Sequence, residues 1–316
     1  MGRLLVTGAT GFVGKSLVKK LRTEKFNVTS VLRGNNKETS DALYVTGIDS
    51  TTDWHGKLQG VDFIVHCAAR VHVMNDIDND PLEAFREVNL RGTLNLAKSA
   101  AEAGVKRFVF ISSIKVNGES TTGKIPFKNS DVPLPEDPYG ISKAEAEKEL
   151  LALGADTGTG MEIVIIRPPL VYGPGVKANF AAICKLVMKG IPLPFALIKS
   201  NRRSMVYVEN LVSLICECIT NKKAANKVFL VSDNNDLSLA QLIKGLSQAA
   251  GKGGFMLPVP AFSFELVGKI TGKTAVIDRL CGSLQVDINH TCTTLNWQPP
   301  YTVEQGFAET VKYFKK

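Results

Sequence analysis

Strand-length apolar runs recur through the first two thirds of the chain: RLLVTG (3–8), NVTSVL (27–32), ALYVTG (42–47), VDFIVHCA (61–68), RFVFISS (107–113) and MEIVIIRP (161–168). Their richness in Val, Ile and Phe predicts strands covered on both faces, as a parallel sheet requires. Stretches of helical character lie between several of them, at residues 12–22 and 81–103. Strand and helix in alternation predict an α/β fold: a Rossmann-type, doubly wound parallel sheet.

Near residue 170 the rhythm changes. RPPLVYGPG (167–175), KGIPLPF (189–195) and LPVPAF (257–262) bring Pro and Gly between helical pieces at 205–220 and 238–250. This predicts one α/β domain over 1–170 and a smaller C-terminal α/β lobe over 171–316, with part of the chain crossing back to the sheet. The apolar segment 255–270, interrupted by prolines and Lys269, reads as core of that lobe rather than as a membrane anchor.

Composition narrows the classes. The chain has 316 residues, 44% hydrophobic and 22% charged, enough apolar material for a large core and too much for disorder. No run reaches membrane-spanning length, and the first strand pattern starts at Arg3, leaving no room for a leader, so a cytoplasmic location is expected. Six cysteines, at 67, 184, 216, 218, 281 and 292, lack paired metal-ligand spacing and read as reduced thiols, with no metal site. The formal charge of +8 suits anionic ligands; no basic stripe with interleaved aromatics argues for nucleic acid.

Candidate chemistry begins in VTGATGFVGKSLVKKL (6–21), where Gly8, Gly11 and Gly14 sit between a strand and an amphipathic helix. Glycine there lets backbone N–H groups approach a pyrophosphate, which the helix N-terminus also attracts. The second strand ends in SVLRGNN (30–36), offering Arg33 and no acid. An acid would bind the ribose 2′-hydroxyl of NAD(H), whereas an arginine can hold a 2′-phosphate, so NADP(H) is favoured over NAD(H).

In DPYGISKAEAE (137–147), Asp137 can cap a helix with Pro138 at its first position, which puts Tyr139 and Lys143 four apart on one face. A phenol titrates near 10 in water. A nearby ammonium and a positively charged nicotinamide would lower that value into the working range for proton transfer. Upstream, FISSIKVNG (110–118) puts Ser113 at the end of the fifth strand, able to hydrogen-bond a reacting oxygen, with Ser112 as its rival.

The G-x-x-G-x-x-G spacing and the Tyr139/Lys143 pair resemble the short-chain dehydrogenase/reductase superfamily. HCAAR (66–70), VNLRGTLNL (88–96), PYGISK (138–143), RPPLVYGPG, RRSMVYVENL (202–211) and LNWQPP (295–300) extend the likeness to its extended branch, the NAD(P)-dependent nucleotide-sugar epimerase/dehydratase family, over essentially the whole chain. The resemblance implies catalysis by Ser113, Tyr139 and Lys143. It implies a cofactor site drawn from Gly8, Thr10, Gly11, Phe12, Val13, Gly14, Arg33, Asp49, Ser50, Ala68, Ala69, Asn89, Tyr139, Lys143 and Pro168. It places Ser113, Asn179, Arg203 and Arg279 at the substrate, with Arg203 on a diphosphate, and makes His66 structural. It also implies a homodimer built on helices 81–103 and 139–153.

The departures narrow the chemistry. Ile114 and Lys115 stand where sugar dehydratases of the family carry Asp-Glu, which argues against 4,6-dehydration. Asn117 replaces a usual tyrosine and Leu170 a usual asparagine. AARVHVMND (68–76), SSIKVNGE (112–119) and CGSLQVD (281–287) look most like bacterial enzymes acting at C4 of UDP-N-acetylhexosamines in surface-polysaccharide synthesis, among them UDP-N-acetylquinovosamine-forming 4-keto reductases and proteins similar to UDP-glucose 4-epimerases. The expected function is NAD(P)H-dependent reduction of a UDP-4-keto-6-deoxy-N-acetylhexosamine. The alternative is an NAD-dependent UDP-sugar 4-epimerase, which uses the same relay, and a remoter one is a non-catalytic dinucleotide sensor.

Overall fold

Seven parallel strands in the order β3-β2-β1-β4-β5-β6-β9 form the main sheet of the protein, seen in a computed structural model that describes residues 2–34, 39–71, 80–156, 158–260, 262–264, 269–270, 272 and 274–315. The six apolar runs supply β1 (Arg3–Thr7), β2 (Asn27–Arg33), β3 (Ala42–Val45), β4 (Val61–His66), β5 (Arg107–Ile111) and β6 (Glu162–Arg167). The seventh, β9 (Lys227–Leu230), comes from the C-terminal half and pairs in parallel with β6.

Alternate strand residues feed two separate cores. Leu4 and Val6 pack with Leu17 and Leu21 of α1 (Phe12–Thr23) and with Leu211 and Ile215 of α6 (Val208–Thr220). Leu5, Ile64 and Phe108 face the other way, toward Leu96 of α3 (Thr93–Glu102) and Leu150 of α4 (Pro138–Ala155). Each large aliphatic side chain so buried contributes about 1.5–3 kcal/mol, and helices on both faces are what let every strand be apolar throughout.

The helix predicted over 81–103 is interrupted. It runs as α2 (Pro81–Arg86), a π-helical turn over Glu87–Gly92, and then α3. Gly92 passes so close to the loop after β3 that a Cβ there would lie 2.7 Å from the Ile48 carbonyl oxygen. The extra residue per turn shifts the side-chain register, a device found mostly at functional sites.

The smaller lobe is organised around β7 (Leu170–Tyr172) and β8 (Met205–Tyr207), a parallel pair. The helix predicted over 205–220 therefore begins only at Val208, because Met205–Tyr207 finds a strand partner at 170–172. Tyr172, Tyr207 and Met205 join Phe180 of α5 (Ala178–Met188), Leu246 of α7 (Leu239–Ala250) and Phe307 of α10 (Val303–Phe314) in the lobe core. Between α7 and α10 lie α8 (Thr274–Cys281) and α9 (Asn289–Leu295).

The segment 255–270 departs from expectation. Met256 and Phe264 pack against the lobe core, but Phe255, Leu257, Phe262 and Ile270 are exposed. Pro258 and Pro260 hold 257–260 out of helix, and Phe262 stands exposed in the helical turn 262–264 that follows.

The two lobes share chain. After β8, α6 packs on the main sheet and β9 joins its edge before α7 returns to the lobe. Residues 283–287 also stitch them together: Ser204 N–H donates to the Leu284 carbonyl (2.8 Å), while Thr121 N–H donates to Ser283 (2.9 Å) and Phe127 N–H to Gln285 (2.9 Å). All six cysteines are free thiols. Among the described residues, no helix is long and apolar enough to cross a membrane, and no cluster of His, Cys, Asp and Glu could hold a metal ion.

Candidate active site

The strand order reverses between β1 and β4, and ligands of open α/β sheets bind outside the carboxyl ends of strands at such a switch point. The glycine turn closes over that position. Gly8 has φ +66°, and a Cβ on it would lie 2.7 Å from the Ala68 nitrogen. On Gly14 a Cβ would come within 2.2 Å of the Gly8 carbonyl oxygen. Gly11 N–H donates to that oxygen at 2.9 Å, and Gly11 caps α1 with no side-chain bond to the helix N–H groups. Thr10 and Gly11 are exposed, and Phe12 and Val13 half-buried, at this N-terminus. A narrow cradle with uncapped helical N–H groups fits the diphosphate of a dinucleotide.

His66 fixes the far wall. Its ring bonds Thr7 Oγ1 through Nδ1 (2.7 Å) and Thr93 Oγ1 through Nε2 (3.0 Å) in a fully buried setting. Burial, with a smaller push from Lys143, depresses its pKa to about 3, so the ring is a neutral strut between β1, β4 and α3. Ala68 N–H donates to Thr7 Oγ1 at 3.3 Å, and Ala68 and Ala69 line the turn above the strand ends half-buried.

Asn89, in the π turn, accepts from Arg70 N–H (2.9 Å) and donates through Nδ2 to the Arg70 carbonyl (3.0 Å) and Ser142 Oγ (3.1 Å). It thereby clamps the loop after β4 to the helix bearing Tyr139 and Lys143.

That helix starts as its sequence predicts: Asp137 accepts from Gly140 N–H at 2.7 Å, with Pro138 first in the helix. The Asp137 carboxylate also pairs with Lys115, which reaches Glu119 at 3.0 Å. Tyr139 packs edge-on against Phe85, ring centroids 6.0 Å apart, with its phenol near enough to Ser113 to feel that hydroxyl. Ser113 in turn accepts from Lys115 N–H at 3.3 Å. Lys143 Nζ donates to the Ile111 carbonyl (2.9 Å) and lies 4.2 Å from the Phe110 ring centroid. Ser113, Tyr139 and Lys143 are thus assembled around the end of β5, while the rival Ser112 is buried and donates to Glu147.

Burial, then the Asp137 charge, pushes the Tyr139 phenol up to about 12, against the lowering by Ser113. Burial also brings Lys143 down to about 7, against the raising influence of Glu147 and Cys67. The ammonium that was to lower the phenol is itself short of solvation, so the protein alone holds the pair with its proton on the phenol.

Beneath the pair lies a polar network that sequence reasoning missed. Arg167 donates to both carboxylate oxygens of Glu147, at 2.5–3.0 Å, and through Nη1 to Asn117 Oδ1 at 2.9 Å. Asn117 Nδ2 continues to the Lys128 carbonyl at 2.9 Å. The available signal was Glu147 four residues after Lys143, a helix turn that would bury a second charge, together with an arginine ending an otherwise apolar strand. Pro168, next in the chain, is buried and its carbonyl accepts from Ile114 N–H at 3.0 Å.

The remaining sequence candidates make contacts of their own. Arg33 is exposed at the end of β2. Asp49 binds its own loop, accepting from Thr51 N–H (3.0 Å) and Thr52 Oγ1 (3.0 Å), and Ser50 donates to Glu87 (2.6 Å). Asn179 is exposed in the first turn of α5. Arg203 lies between Leu237 and Leu284 in backbone pairing and donates to the Gly282 carbonyl at 3.1 Å, with burial lowering its guanidinium pKa. Arg279 falls on α8, with its side chain outside the described residues.

Comparison with known proteins gives four findings. A sequence model of the NAD dependent epimerase/dehydratase family matches residues 4–232. The chain is 52% identical over 313 residues to a UDP-glucose 4-epimerase of Vibrio cholerae, covering 98% of this chain and 95% of that one. It is 28% identical to the N-acetyl-alpha-D-glucosaminyl-diphospho-ditrans,octacis-undecaprenol 4-epimerase of Escherichia coli O157:H7, covering 98% and 94%. Among solved structures, MoeE5 in complex with UDP-glucose and NAD has the same fold, with a TM-score of 0.76 at 22% identity and 99% of each chain covered.

Proposed function

Because the chain belongs to the NAD dependent epimerase/dehydratase family and is a dinucleotide-dependent enzyme of that extended short-chain dehydrogenase/reductase type, we propose that it epimerises a UDP-hexose at C4. The observation that carries this is the 52% identity, across nearly the whole of both chains, to a UDP-glucose 4-epimerase. It favours the epimerase over the net 4-keto reductase expected from the sequence. With it goes a cofactor of the NAD type in place of NADP(H). An epimerase returns hydride to the sugar that gave it and draws on no NADPH pool, and an exposed Arg33 is weak support for a 2′-phosphate.

Gly8, Gly11 and Gly14 would hold the pyrophosphate, and Ala68, Ala69 and Asn89 would form the wall beside the nicotinamide half. When bound, the dinucleotide supplies acceptance and return of hydride at C4. Tyr139 takes the proton of the C4 hydroxyl and later returns it to the ketone oxygen, and Ser113 holds that oxygen in place. Lys143, rooted on Ile111, binds ribose hydroxyls and supplies the positive charge that stabilises the phenolate. Lys115 and Ile114 offer no carboxylate for elimination, so the ketone is reduced rather than dehydrated. Arg203, with Asn179 and Arg279, would meet the UDP diphosphate. A cytoplasmic homodimer built on α2–α3 and α4, serving surface-polysaccharide synthesis, completes the reading.

The test is incubation of the purified protein with UDP-galactose and NAD, without a reductant. Formation of UDP-glucose supports the proposal. No conversion, with stoichiometric loss of NADPH on a UDP-4-keto-6-deoxy-N-acetylhexosamine, would return the assignment to the reductase.

A further inference from the structure

The smaller lobe has a face that C4 chemistry leaves unused, and the charge of the chain is concentrated there. Leaving aside Arg203, which is assigned to the UDP diphosphate, segments 177–203 and 237–264 carry seven Lys and Arg and no Asp or Glu, against a formal net charge of +8.

The two segments meet in space. Leu257 N–H donates to the Leu193 carbonyl (2.8 Å) and Ala196 N–H to the Leu257 carbonyl (3.2 Å), while Phe195 stacks on Phe264 at 5.3 Å between centroids. Around this junction large apolar side chains stand in solvent: Phe255 and Phe262 at 68% exposure, Leu197 at 48% and Ile191 at 44%. Lys199 and Lys244 border a cleft of about 540 Å³ on one side of Phe255, and Lys252 borders a smaller one on the other. Grouped apolar surface of this kind marks an interaction site.

We propose that this face docks on the surface of an anionic lipid bilayer. Phe255 and Phe262 enter the interfacial layer, and Lys199, Lys244 and Lys252 lie among the lipid phosphates. Lysine suits this arrangement because its stem covers apolar surface while its ammonium stays at the polar boundary. Clustered Lys and Arg are drawn to anionic leaflets, and the apolar side chains supply the binding that charge alone does not. A second copy of the chain is a poor occupant, since two such faces would oppose like charges with no acid to pair them. Among the described residues no helix is long and apolar enough to span the bilayer, so contact is at its surface.

The test is flotation of the full-length protein with vesicles of phosphatidylcholine alone and of equal parts phosphatidylcholine and phosphatidylglycerol. Binding is expected only to the anionic vesicles, at least about tenfold weaker when salt rises from about 0.1 M to about 1 M and the screening length shrinks from about 10 Å to about 3 Å. The Phe255→Ser/Phe262→Ser and Lys199→Glu/Lys244→Glu variants should each lose flotation while keeping dinucleotide binding and UDP-sugar turnover. Their wild-type side chains are exposed, so the fold does not depend on them. Absence of flotation, or flotation undiminished in both variants, overturns the proposal. So does a doubling of mass on size exclusion that the Phe variant abolishes, because it gives the face to a second copy.

Discussion

Arg167 closes on Glu147 with contacts to both carboxylate oxygens, and neither side chain is more than 5% exposed. The pair sits one turn beyond Lys143 on α4 and joins β6 to the helix that carries Tyr139 and Lys143. Glu147→Gln keeps the volume but leaves the guanidinium buried without its counter-charge. Such a loss costs about 3–5 kcal/mol, so the urea midpoint should fall sharply, and Glu147→Gln/Arg167→Met should recover part of it. An unchanged midpoint in the single variant would mean the pair is not desolvated.

Tyr139→Phe removes the hydroxyl proposed to transfer the proton and leaves the ring against Phe85. Turnover should fall by about 10²–10⁴-fold, the usual contribution of a positioned acid-base group. Dinucleotide binding, followed by quenching of intrinsic fluorescence, should be retained. Survival of activity would remove Tyr139 from the mechanism.

Both buried bases make the ligand-free protein sensitive to acid. His66 titrates near 3 when folded and near 6.5 when unfolded, so below 6.5 the unfolded chain binds more protons and stability falls as pH drops toward 3. Lys143, at about 7 folded against 10.5 in solution, adds a second slope over which stability rises with pH from about 7 to about 10.5. Thermal melts across these windows check both, and Lys143→Met should flatten only the upper one. A melt independent of pH between 7 and 10 would contradict the burial of Lys143.

At the glycine turn, Gly14→Ala forces a methyl into the 2.2 Å gap to the Gly8 carbonyl. The helix N-terminus must back away from the strand end, and dinucleotide affinity should drop at least tenfold, about 1.4 kcal/mol, by calorimetry. Gly104→Ala makes the control: at φ +76°, with open space around its Cβ position, it should lower stability without touching the cofactor.

Local pattern made the sheet readable. The six apolar runs, the three glycines and the Asp137-Pro138 helix start each announce themselves within a few residues, because strand burial, tight turns and capping are short-range constraints. What escaped the sequence depends on distant partners. Met205–Tyr207 is a strand only because Leu170–Tyr172 lies beside it. Apolar composition over 255–270 could not reveal that Phe255 and Phe262 lack a cover. The solvation of Lys143 likewise could not be read from its spacing, because it is set by Ile111 and Phe110 of β5 and by Cys67.

The route by which β9 reaches the sheet has a mechanical consequence. A lobe joined to its neighbour by one linker can swing; here the polypeptide passes between the lobes at β7, α6 and again after β9, and residues 283–287 fasten both sides across the gap. Several tethers at different points cancel rotation about any single one. The cleft between the lobes can breathe but not gape, so a ligand held there meets walls that keep their spacing.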